Sequence, residues 1–187
     1  MMVMTMIDLA FKRMVIFGLP GSGKTELAKH ILRSTPSHLV YDPMGEYEGF
    51  RRYQPTDAQD PAELESLIQD VVIPWKPQIF AIDEMNKFVQ PKPSRLPPGI
   101  ALLNDRRRHW LSWIGIARRP SQFHSDIVEL ASYLTLFRLP GRNDRIYLNG
   151  LYATLGDQAA SLNKYEFLML QEGHTLTKHA PVDIAMP

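Results

Sequence analysis

Short, mostly apolar runs alternate with amphipathic segments along this chain of 187 residues. Apolar runs of this length, bounded by polar or turn-forming residues, are typical of strands that are buried on both faces of a parallel sheet. The pattern predicts strands at residues 14–17, 38–41, 79–82, 111–117 and 133–137. Because helical patterns separate them, we expect an α/β fold of three layers, in which helices cover both faces of a mainly parallel central sheet.

Helix signals stand between the predicted strands. Before the third strand, we expect Asp60 to cap a helix, with Pro61 at the first helical position and Glu63 as the capping-box partner. The residues predicted to form the buried stripe of this helix are Leu64, Leu67, Ile68, Val71 and Val72. Further helices are predicted at residues 100–109, 144–154 and 157–163, and a C-terminal hairpin at 165–170 and 174–178.

The composition is typical of a soluble globular protein, with 44% hydrophobic and 22% charged residues. We expect residues 1–187 to form a single domain. The net charge is only +1, so any affinity for nucleic acid must come from local clusters of cations. The absence of cysteine excludes disulfides, thiolate chemistry and cysteine-ligated zinc. No apolar stretch reaches the roughly 20 residues that span a bilayer, so we expect no membrane span. Lys12 and Arg13 follow the apolar start, whereas the cations of a secretory signal precede its apolar part, so we expect a cytoplasmic protein.

Residues 18–25 read GLPGSGKT, a complete GxxxxGK[ST] phosphate-binding loop between a predicted strand and a predicted helix. The glycines allow backbone amides to point inward around phosphates, and the helix presents its positive end to the same anion. We expect Lys24 to reach the β and γ phosphates of ATP and Thr25 to ligate Mg²⁺ through its hydroxyl. The residues predicted to bind the nucleotide are Gly18, Pro20, Gly21, Ser22, Gly23, Lys24, Thr25 and Glu26. A chance match on a tight strand–helix turn is the alternative interpretation.

Two adjacent acids, Asp83 and Glu84, end the predicted strand 79–82. Ligands collect at the carboxyl ends of strands in open α/β sheets, and a buried acid there is costly without a cation. Asp83 is therefore predicted to ligate Mg²⁺. Glu84, one residue further, is predicted to orient and deprotonate the attacking water. The alternative interpretation makes Glu84 a solvated residue in the first turn of the next helix. With the phosphate loop, these acids predict an enzyme that hydrolyses ATP.

Two groups of cations are candidates for function. The run at residues 105–109 is the densest, and it has three interpretations: a solvated helix end, a contact with DNA phosphates, or an arginine finger for a neighbouring subunit's ATP site. Lys92 and Arg95 lie on a proline-rich loop at residues 91–99, where they are candidates to contact DNA, as are Arg51-Arg52 and Lys87. Scattered surface charge is the alternative for each of these residues.

Several motifs in one order resemble the FtsK–HerA family of DNA-pumping ATPases, across roughly residues 13–140. They are the phosphate loop, Tyr41-Asp42-Pro43 with Gly45-Glu46-Tyr47, Ile82-Asp83-Glu84, Arg106–Arg108, Ala117-Arg118-Arg119-Pro120-Ser121, Asp126-Ile127 and Phe137-Arg138-Leu139. The resemblance implies an ASCE-type, RecA-like P-loop core and a homo-oligomeric ring, usually a hexamer, that moves double-stranded DNA through its centre.

The resemblance also implies site residues. Arg107 best matches the position of an arginine finger that acts in trans, with Arg106 and Arg108 as alternatives. The family usually has a glutamine sensor before its Arg-Pro pair, and this chain has Arg118 there. Two interpretations of Arg118 stay open, a second positive contact or an exposed residue.

A bare core of this length is similar to the genome-packaging ATPases of icosahedral viruses with an internal membrane. This analogy implies packaging of a viral genome in the host cytoplasm, with capsid vertex proteins as further partners. Two other classes stay open: a small P-loop kinase, with Arg142 and Arg145 as lid arginines, and a nucleotide-gated assembly module that does not hydrolyse. Glu84 and the Arg119-Pro120 pair disfavour the kinase.

Overall fold

The computed structural model describes residues 9–106, 111–172 and 175–182. Within these residues the chain forms one sheet of eight strands. In chain order the strands are β1 (Arg13–Phe17), β2 (His38–Tyr41), β3 (Arg52–Tyr53), β4 (Ile79–Ile82), β5 (Ser112–Ala117), β6 (Tyr133–Leu136), β7 (Phe167–Gln171) and β8 (Thr175–His179). The helices are α1 (Lys24–Arg33), α2 (Pro61–Leu67), α3 (Ile73–Trp75), α4 (Pro98–Arg106), α5 (Ser125–Glu129), α6 (Arg142–Leu151) and α7 (Leu155–Ala160).

The strand order in the sheet is β3-β2-β4-β5-β1-β6-β7-β8. All neighbours from β3 to β6 are parallel, whereas β7 and β8 are antiparallel additions at one edge. The predicted α/β fold with a mainly parallel sheet and a C-terminal hairpin is therefore confirmed. The order places β5 between β1 and β4, so the residues after β5 lie between the phosphate loop and the paired acids.

The core has two layers, one on each face of the sheet, and β1 contributes to both. Met14 and Ile16 pack with the apolar face of α1, while Val15 and Phe17 pack on the opposite side with residues of α2, α4, α5 and α6. Every residue of β1 is buried, as expected for a central parallel strand. Burial of such side chains stabilises the fold by about 1.5–3 kcal/mol each, which holds the start of the phosphate loop on a rigid strand.

The capping box predicted for α2 is wrong. Asp60 caps the helix as expected, because its Oδ1 accepts the N–H of Ala62 at 2.8 Å. The Glu63 carboxylate, however, accepts the backbone N–H groups of Thr56 (2.9 Å) and Asp57 (3.0 Å) rather than that of Asp60. Glu63 thus fixes the turn before the helix, while the N–H of Asp60 donates to the carbonyl of Asp57.

The buried stripe predicted for α2 is wrong at one position. Val71 is 40% exposed, whereas Leu64, Leu67, Ile68 and Val72 are buried. The chain forms a π-helical turn over Ile68–Val72. This turn holds more residues than an α-helical turn and rotates Val71 away from the core.

Other differences concern boundaries and short elements. The helix predicted at 100–109 begins at Pro98, and α4 is described only as far as Arg106. The helices predicted at 144–154 and 157–163 begin earlier, at Arg142 and Leu155. The two-residue strand β3 and the short helix α5 were not predicted, because neither is long enough to show a period. None of the described helices is long and apolar enough to cross a lipid bilayer.

Candidate nucleotide-binding and catalytic site

The carboxyl ends of four neighbouring parallel strands bring the candidate residues to one edge of the sheet. Phe17 of β1 pairs with Ala117 of β5, Gly115 of β5 pairs with Ile82 of β4, and Ile82 pairs with Tyr41 of β2. The residues that follow these strands are Gly18, Arg118, Asp83 and Asp42. The topology therefore gathers a glycine-rich loop, an arginine and two acids at the position where open α/β sheets bind ligands.

The phosphate loop depends on its glycines. Gly21 and Gly23 have φ values of 72° and 107°, in the left-handed region that other residues adopt only with strain. A Cβ on Gly18 would lie 2.5 Å from Ser22 Oγ and 2.7 Å from Phe137 Cβ, so the loop packs tightly on the residue after β6. Gly23 is the N-cap of α1, and no side chain caps the helix, which leaves its first N–H groups for an anion.

Lys24 is held inside the loop. Its side chain is nearly buried, and Nζ donates to the carbonyl of Leu19 at 3.0 Å. Burial lowers the pKa of Lys24, while the negative charges of Asp83 and Glu84 act in the opposite direction. The ammonium group therefore lies close enough to the paired acids to feel their charge, in the position predicted for contact with the nucleotide phosphates.

Asp83 is a buried carboxylate without enough compensating positive charge. Asp83 is only 4% exposed, and burial raises the pKa of its carboxyl group to about 6. The N–H of Glu84, which donates to Oδ1 at 2.7 Å, opposes this increase, but the nearby charges of Glu84 and Glu46 reinforce it. A divalent cation would relieve this repulsion, and carboxylate and hydroxyl oxygens are ligands that Mg²⁺ prefers. The donor set of Asp83 and Thr25 therefore fits the predicted magnesium site.

Glu46 is a site residue to which the sequence assigned no role. Its Oε2 accepts a hydrogen bond from the Thr25 hydroxyl at 3.1 Å, so a third carboxylate reaches the proposed cation site from the β2–β3 connection. A buried Asp42 positions it, because Asp42 accepts the N–H groups of Glu46 and Tyr47, each at 2.9 Å, and pairs with the Arg52 guanidinium at 2.7 Å. The Asp42–Tyr47 motif was recognised in the sequence, but its fold-back onto Thr25 depends on tertiary structure.

Glu84 occupies a strained position. Its φ and ψ are 48° and 36°, and a left-handed backbone at a residue other than glycine costs about 1–3 kcal/mol. Its Oε2 forms an ion pair with Arg118 Nη2 at 3.0 Å. The side chain of Glu84 is 17% exposed, so the alternative of a solvated helical residue does not fit its position. We call Asp83 and Glu84 the acidic turn.

The acidic turn lies close to β5 because of Gly115. A Cβ at this position would be 2.6 Å from Met85 Sδ and 2.9 Å from the Trp113 ring. The absence of a side chain at Gly115 therefore leaves room for Met85, the residue after the acidic turn, to pack directly on the strand. This close packing brings Glu84 within reach of Arg118 at the end of the same strand.

Arg118 pairs with the predicted catalytic acid, and it is half-exposed. Its positive charge also lowers the pKa of Lys24, so it lies near the phosphate loop as well as near Glu84. The chain then turns through Pro120, and Ser121 donates from both its N–H (3.2 Å) and its hydroxyl (2.6 Å) to buried Asp144 of α6. These bonds fix the course of the chain beyond Arg118.

A cavity of about 390 Å³ begins at the phosphate loop, a size typical of ligand sites. The loop and the start of α1 form one side, from Gly21 to Glu26, and Glu46 contributes to the lining. The remaining wall consists of Phe137, Tyr165, Pro181 and Val182. These four residues were not predicted as site residues, because two of them follow the C-terminal hairpin and the others lie outside any phosphate-binding motif.

The cations proposed for DNA and for the finger have different environments. Lys92 forms an exposed ion pair with Asp126 at 2.6 Å, and Arg95 is exposed on the same loop. Arg106 ends α4, and the predicted finger Arg107 and its alternative Arg108 lie outside the described residues. The remaining candidates have intramolecular contacts: Arg52 with Asp42, Arg51 with the Trp75 ring, and Lys87 with Met44 Sδ and the Ala58 carbonyl. Of the candidate lid arginines, Arg145 pairs with Asp157 at 2.6 Å.

The parallel sheet, the strand order and the glycine-rich loop define a P-loop NTPase fold. Solved structures agree: the crystal structure of B204, the DNA-packaging ATPase from Sulfolobus turreted icosahedral virus, is similar with a TM-score of 0.81 and 18% sequence identity, over 93% of this chain and 99% of that one. The genome-packaging NTPase B204 from Sulfolobus turreted icosahedral virus 2, in complex with ATPγS, gives a TM-score of 0.79 at 18% identity, over 92% and 98%. The N-terminal domain of zonular occludens toxin from Neisseria meningitidis is less similar, with a TM-score of 0.58, 12% identity, and coverage of 92% and 95%.

No protein-family profile matches this chain, and no curated protein gives a significant match. At the identities above, the structural similarity establishes the fold. The expected resemblance to viral packaging ATPases is thus confirmed at the level of three-dimensional structure.

Proposed function

We propose that this chain is an Mg²⁺-dependent ATPase that moves double-stranded DNA, as the motor that packages a viral genome. The observation that carries the proposal is the convergence of the phosphate loop, buried Asp83 and strained Glu84 at one sheet edge. The Glu84 side chain is largely shielded from solvent and pairs with Arg118 at this edge, which supports its proposed role as the acid that activates water. The solved structures with a similar fold are those of a DNA-packaging ATPase and a genome-packaging NTPase, which supports the choice of function.

In this proposal, Thr25 and Asp83 hold the magnesium ion, and Glu46 lies beside Thr25. When bound, Mg²⁺ neutralises developing charge on the phosphate oxygens. The backbone N–H groups of residues 18–25 and the ammonium of Lys24 bind the phosphates and stabilise the same charge. The Lys24 ammonium now donates to the Leu19 carbonyl, and in this proposal it exchanges that carbonyl for phosphate oxygens when the nucleotide binds.

Glu84 orients the attacking water and accepts its proton. Arg118 forms an ion pair with Glu84, and because the arginine side chain is half-exposed, we propose that it can turn to the γ phosphate once a nucleotide binds. Arg118 replaces the glutamine sensor of the family that this sequence resembles, and we propose that it supplies positive charge where that glutamine supplies a hydrogen bond.

The motor requires a homo-oligomeric ring, proposed as a hexamer. Each subunit's Arg107, or else Arg106 or Arg108, stabilises charge at a neighbouring ATP site, an effect worth about 10³–10⁵ in rate in other NTPases. Lys92 and Arg95, on the loop that follows the acidic turn, are the proposed contacts to DNA phosphates. Capsid vertex proteins are proposed partners, and the host cytoplasm is the proposed location.

The experiment measures particle mass and ATP turnover together, over a range of protein concentrations, with and without double-stranded DNA. A ring motor should assemble with nucleotide, and its turnover per subunit should rise with concentration and with DNA. In Arg107→Ala mixed with wild-type chains, turnover should fall more steeply than the wild-type fraction. Turnover that is independent of concentration and requires a small acceptor would favour a kinase instead, and binding without turnover would favour an assembly module.

A further inference from the structure

The cavity at the phosphate loop continues past the groups that bind phosphates. Its outer part is lined by Tyr165, Pro181 and Val182, which we call the outer wall, with Phe137 beneath the loop. Tyr165 lies between α7 and β7, and the other two residues follow β8. None of these side chains is an ion, and three are apolar, so this part of the cavity is chemically unlike the phosphate end.

Tyr165 is the most unusual residue of the outer wall. Its φ is 67°, in the left-handed region, where a bulky residue is strained. The side chain is 44% exposed, although its size and apolar ring favour burial. Strained and exposed aromatic residues beside a cavity are typical of ligand sites.

The ring of Tyr165 lies against the phosphate loop itself. Its Cδ1 is 3.4 Å from the position that a Cβ on Gly23 would take, so Gly23 and the ring are in close approach. Lys164 Nζ lies 4.7 Å from the ring centroid and restrains the ring by a cation–π contact. A flat ligand that leaves the phosphate loop on this side would therefore meet an aromatic ring that is restrained by these two contacts.

Pro181 and Val182 supply an apolar surface opposite the loop. The C-terminal hairpin directs the chain after β8 back toward α1, and Val182 packs on the core layer that contains the apolar face of α1. A purine base is flat and largely apolar on its faces, so an aromatic ring and an aliphatic wall match it without hydrogen bonds.

We propose that the outer wall is the nucleobase subsite, in which the base of the nucleoside triphosphate stacks on Tyr165 against Pro181 and Val182. The proposal rests on the nucleotide binding proposed above and identifies the residues that hold the base. Because stacking is insensitive to the identity of the base, the subsite distinguishes poorly between adenine and guanine.

The test compares a ligand that has a base with one that has none. Calorimetric titration in the presence of Mg²⁺ gives the Kd of ATPγS and of tripolyphosphate for wild type, Tyr165→Ala and Tyr165→Phe. Tyr165→Ala should weaken ATPγS binding about tenfold and leave tripolyphosphate binding unchanged, because only the nucleotide loses a stacking partner. Tyr165→Phe retains the ring and should bind ATPγS within about twofold of wild type. Ile146→Ala removes a side chain that is also apolar and 61% exposed but lies on α6, and it should change neither Kd.

An equal loss of both ligands in Tyr165→Ala would overturn the proposal, because Tyr165 would then support the phosphate loop and not the base. No loss of either ligand would overturn it as well. Failure of the proposed function would be seen in the wild-type protein instead of in the variant. The wild-type protein would then bind neither ATPγS nor tripolyphosphate, or would bind both and not turn over ATP. Titration with the guanine analogue GTPγS completes the test: a Kd within about threefold of that for ATPγS supports stacking alone, and a difference above about tenfold contradicts it.

Discussion

The phosphate loop and the acidic turn lie at the same sheet edge, but they are built on opposite principles. The loop relies on glycines and on the uncapped start of α1, and its one cation bonds a loop carbonyl. The acidic turn places a buried carboxylate and a strained glutamate beside a third acid, Glu46, and the nearby charges of Lys24 and half-exposed Arg118 compensate only in part. The loop is therefore a preformed receptor for an anion, whereas the acidic turn is unfavourable until a cation and a phosphate arrive. We therefore expect the first region to supply most of the binding energy for the nucleotide and the second to control turnover.

The largest expected effect separates binding from turnover. Glu84→Gln should lower ATP turnover by about 10²–10⁴-fold, because the amide cannot accept the proton of the attacking water. Binding of ATPγS should stay within about threefold of wild type, since the phosphate loop is intact. Steady-state ATPase assays and calorimetry measure the two quantities. A variant that retains wild-type turnover would remove Glu84 from the chemistry.

Asp83→Asn tests whether the acidic turn stores unfavourable charge. The pKa of Asp83 is raised from 3.8 to about 6, so the folded protein binds this proton more tightly than the unfolded chain does. The stability that the protonated carboxyl contributes is therefore fully present below pH 3.8 and is lost as the pH rises through 6. At pH 8 without Mg²⁺, the asparagine variant should therefore be more stable than wild type by about 2–3 kcal/mol, from about 1.4 kcal/mol for each pKa unit. The difference should shrink as the pH falls from 6 to 4.

Chemical denaturation of both proteins across this pH range measures the difference, and comparing the two chains cancels the titration of the other carboxylates. A gain that does not change with pH would show that packing, not charge, is responsible. Addition of Mg²⁺ and ATPγS should stabilise wild type more than the variant, since the proposed cation ligand is missing from the variant.

Arg118→Ala tests the cation that joins the two regions. Turnover should fall about 10–10²-fold, because a positive group near the γ phosphate is lost. The free energy of unfolding should change by less than about 1 kcal/mol, because the Arg118 side chain is half-exposed and solvent screens its charge. Arg119→Ala is the matched control, since Arg119 is the exposed neighbour, and it should retain turnover. Equal losses in both variants would argue for a general effect of surface charge.

Glu46→Ala has the smallest expected effect, on the dependence on magnesium. Glu46 accepts a bond from the Thr25 hydroxyl, and removal of groups that orient metal ligands typically weakens metal affinity about 10–100-fold. The Mg²⁺ concentration that gives half-maximal ATPγS binding should rise about tenfold. Glu48→Ala removes an exposed carboxylate from the same segment and should leave that concentration unchanged. A shift shared by both variants would indicate a long-range effect of charge.

The comparison also explains what the sequence could and could not predict. The phosphate loop is a local structure. Its residues, including Gly21, Gly23 and Lys24, are neighbours in the sequence, so their spacing is enough to predict the loop. The acidic turn was predicted in part, because Asp83 and Glu84 follow an obvious buried strand. The partners Glu46 and Tyr165 were not predicted, since each reaches the site from a distant part of the chain.

The same distinction holds for the fold. Five strands were predicted from short apolar runs and two as the C-terminal hairpin, with errors at the ends, whereas the two-residue strand β3 was missed. The errors in and directly after α2 arose where the same sequence pattern was compatible with two local structures. Glu63 had other N–H donors within reach, and a π-helical turn shifted Val71 out of a stripe that assumes a constant period. Contacts with the turn before α2 determined the partners of Glu63, and packing of the core determined which residues of the π-helical turn are buried.

Gly115 sets a limit on how this protein can change over generations. It carries no functional group and lies in the middle of a strand, yet even one additional methyl group would press on Met85 and the Trp113 ring. Any side chain there would require the Met85 thioether or the Trp113 ring to move, next to the acidic turn. We therefore expect few substitutions to be accepted at Gly115, although the residue itself takes no part in the proposed reaction.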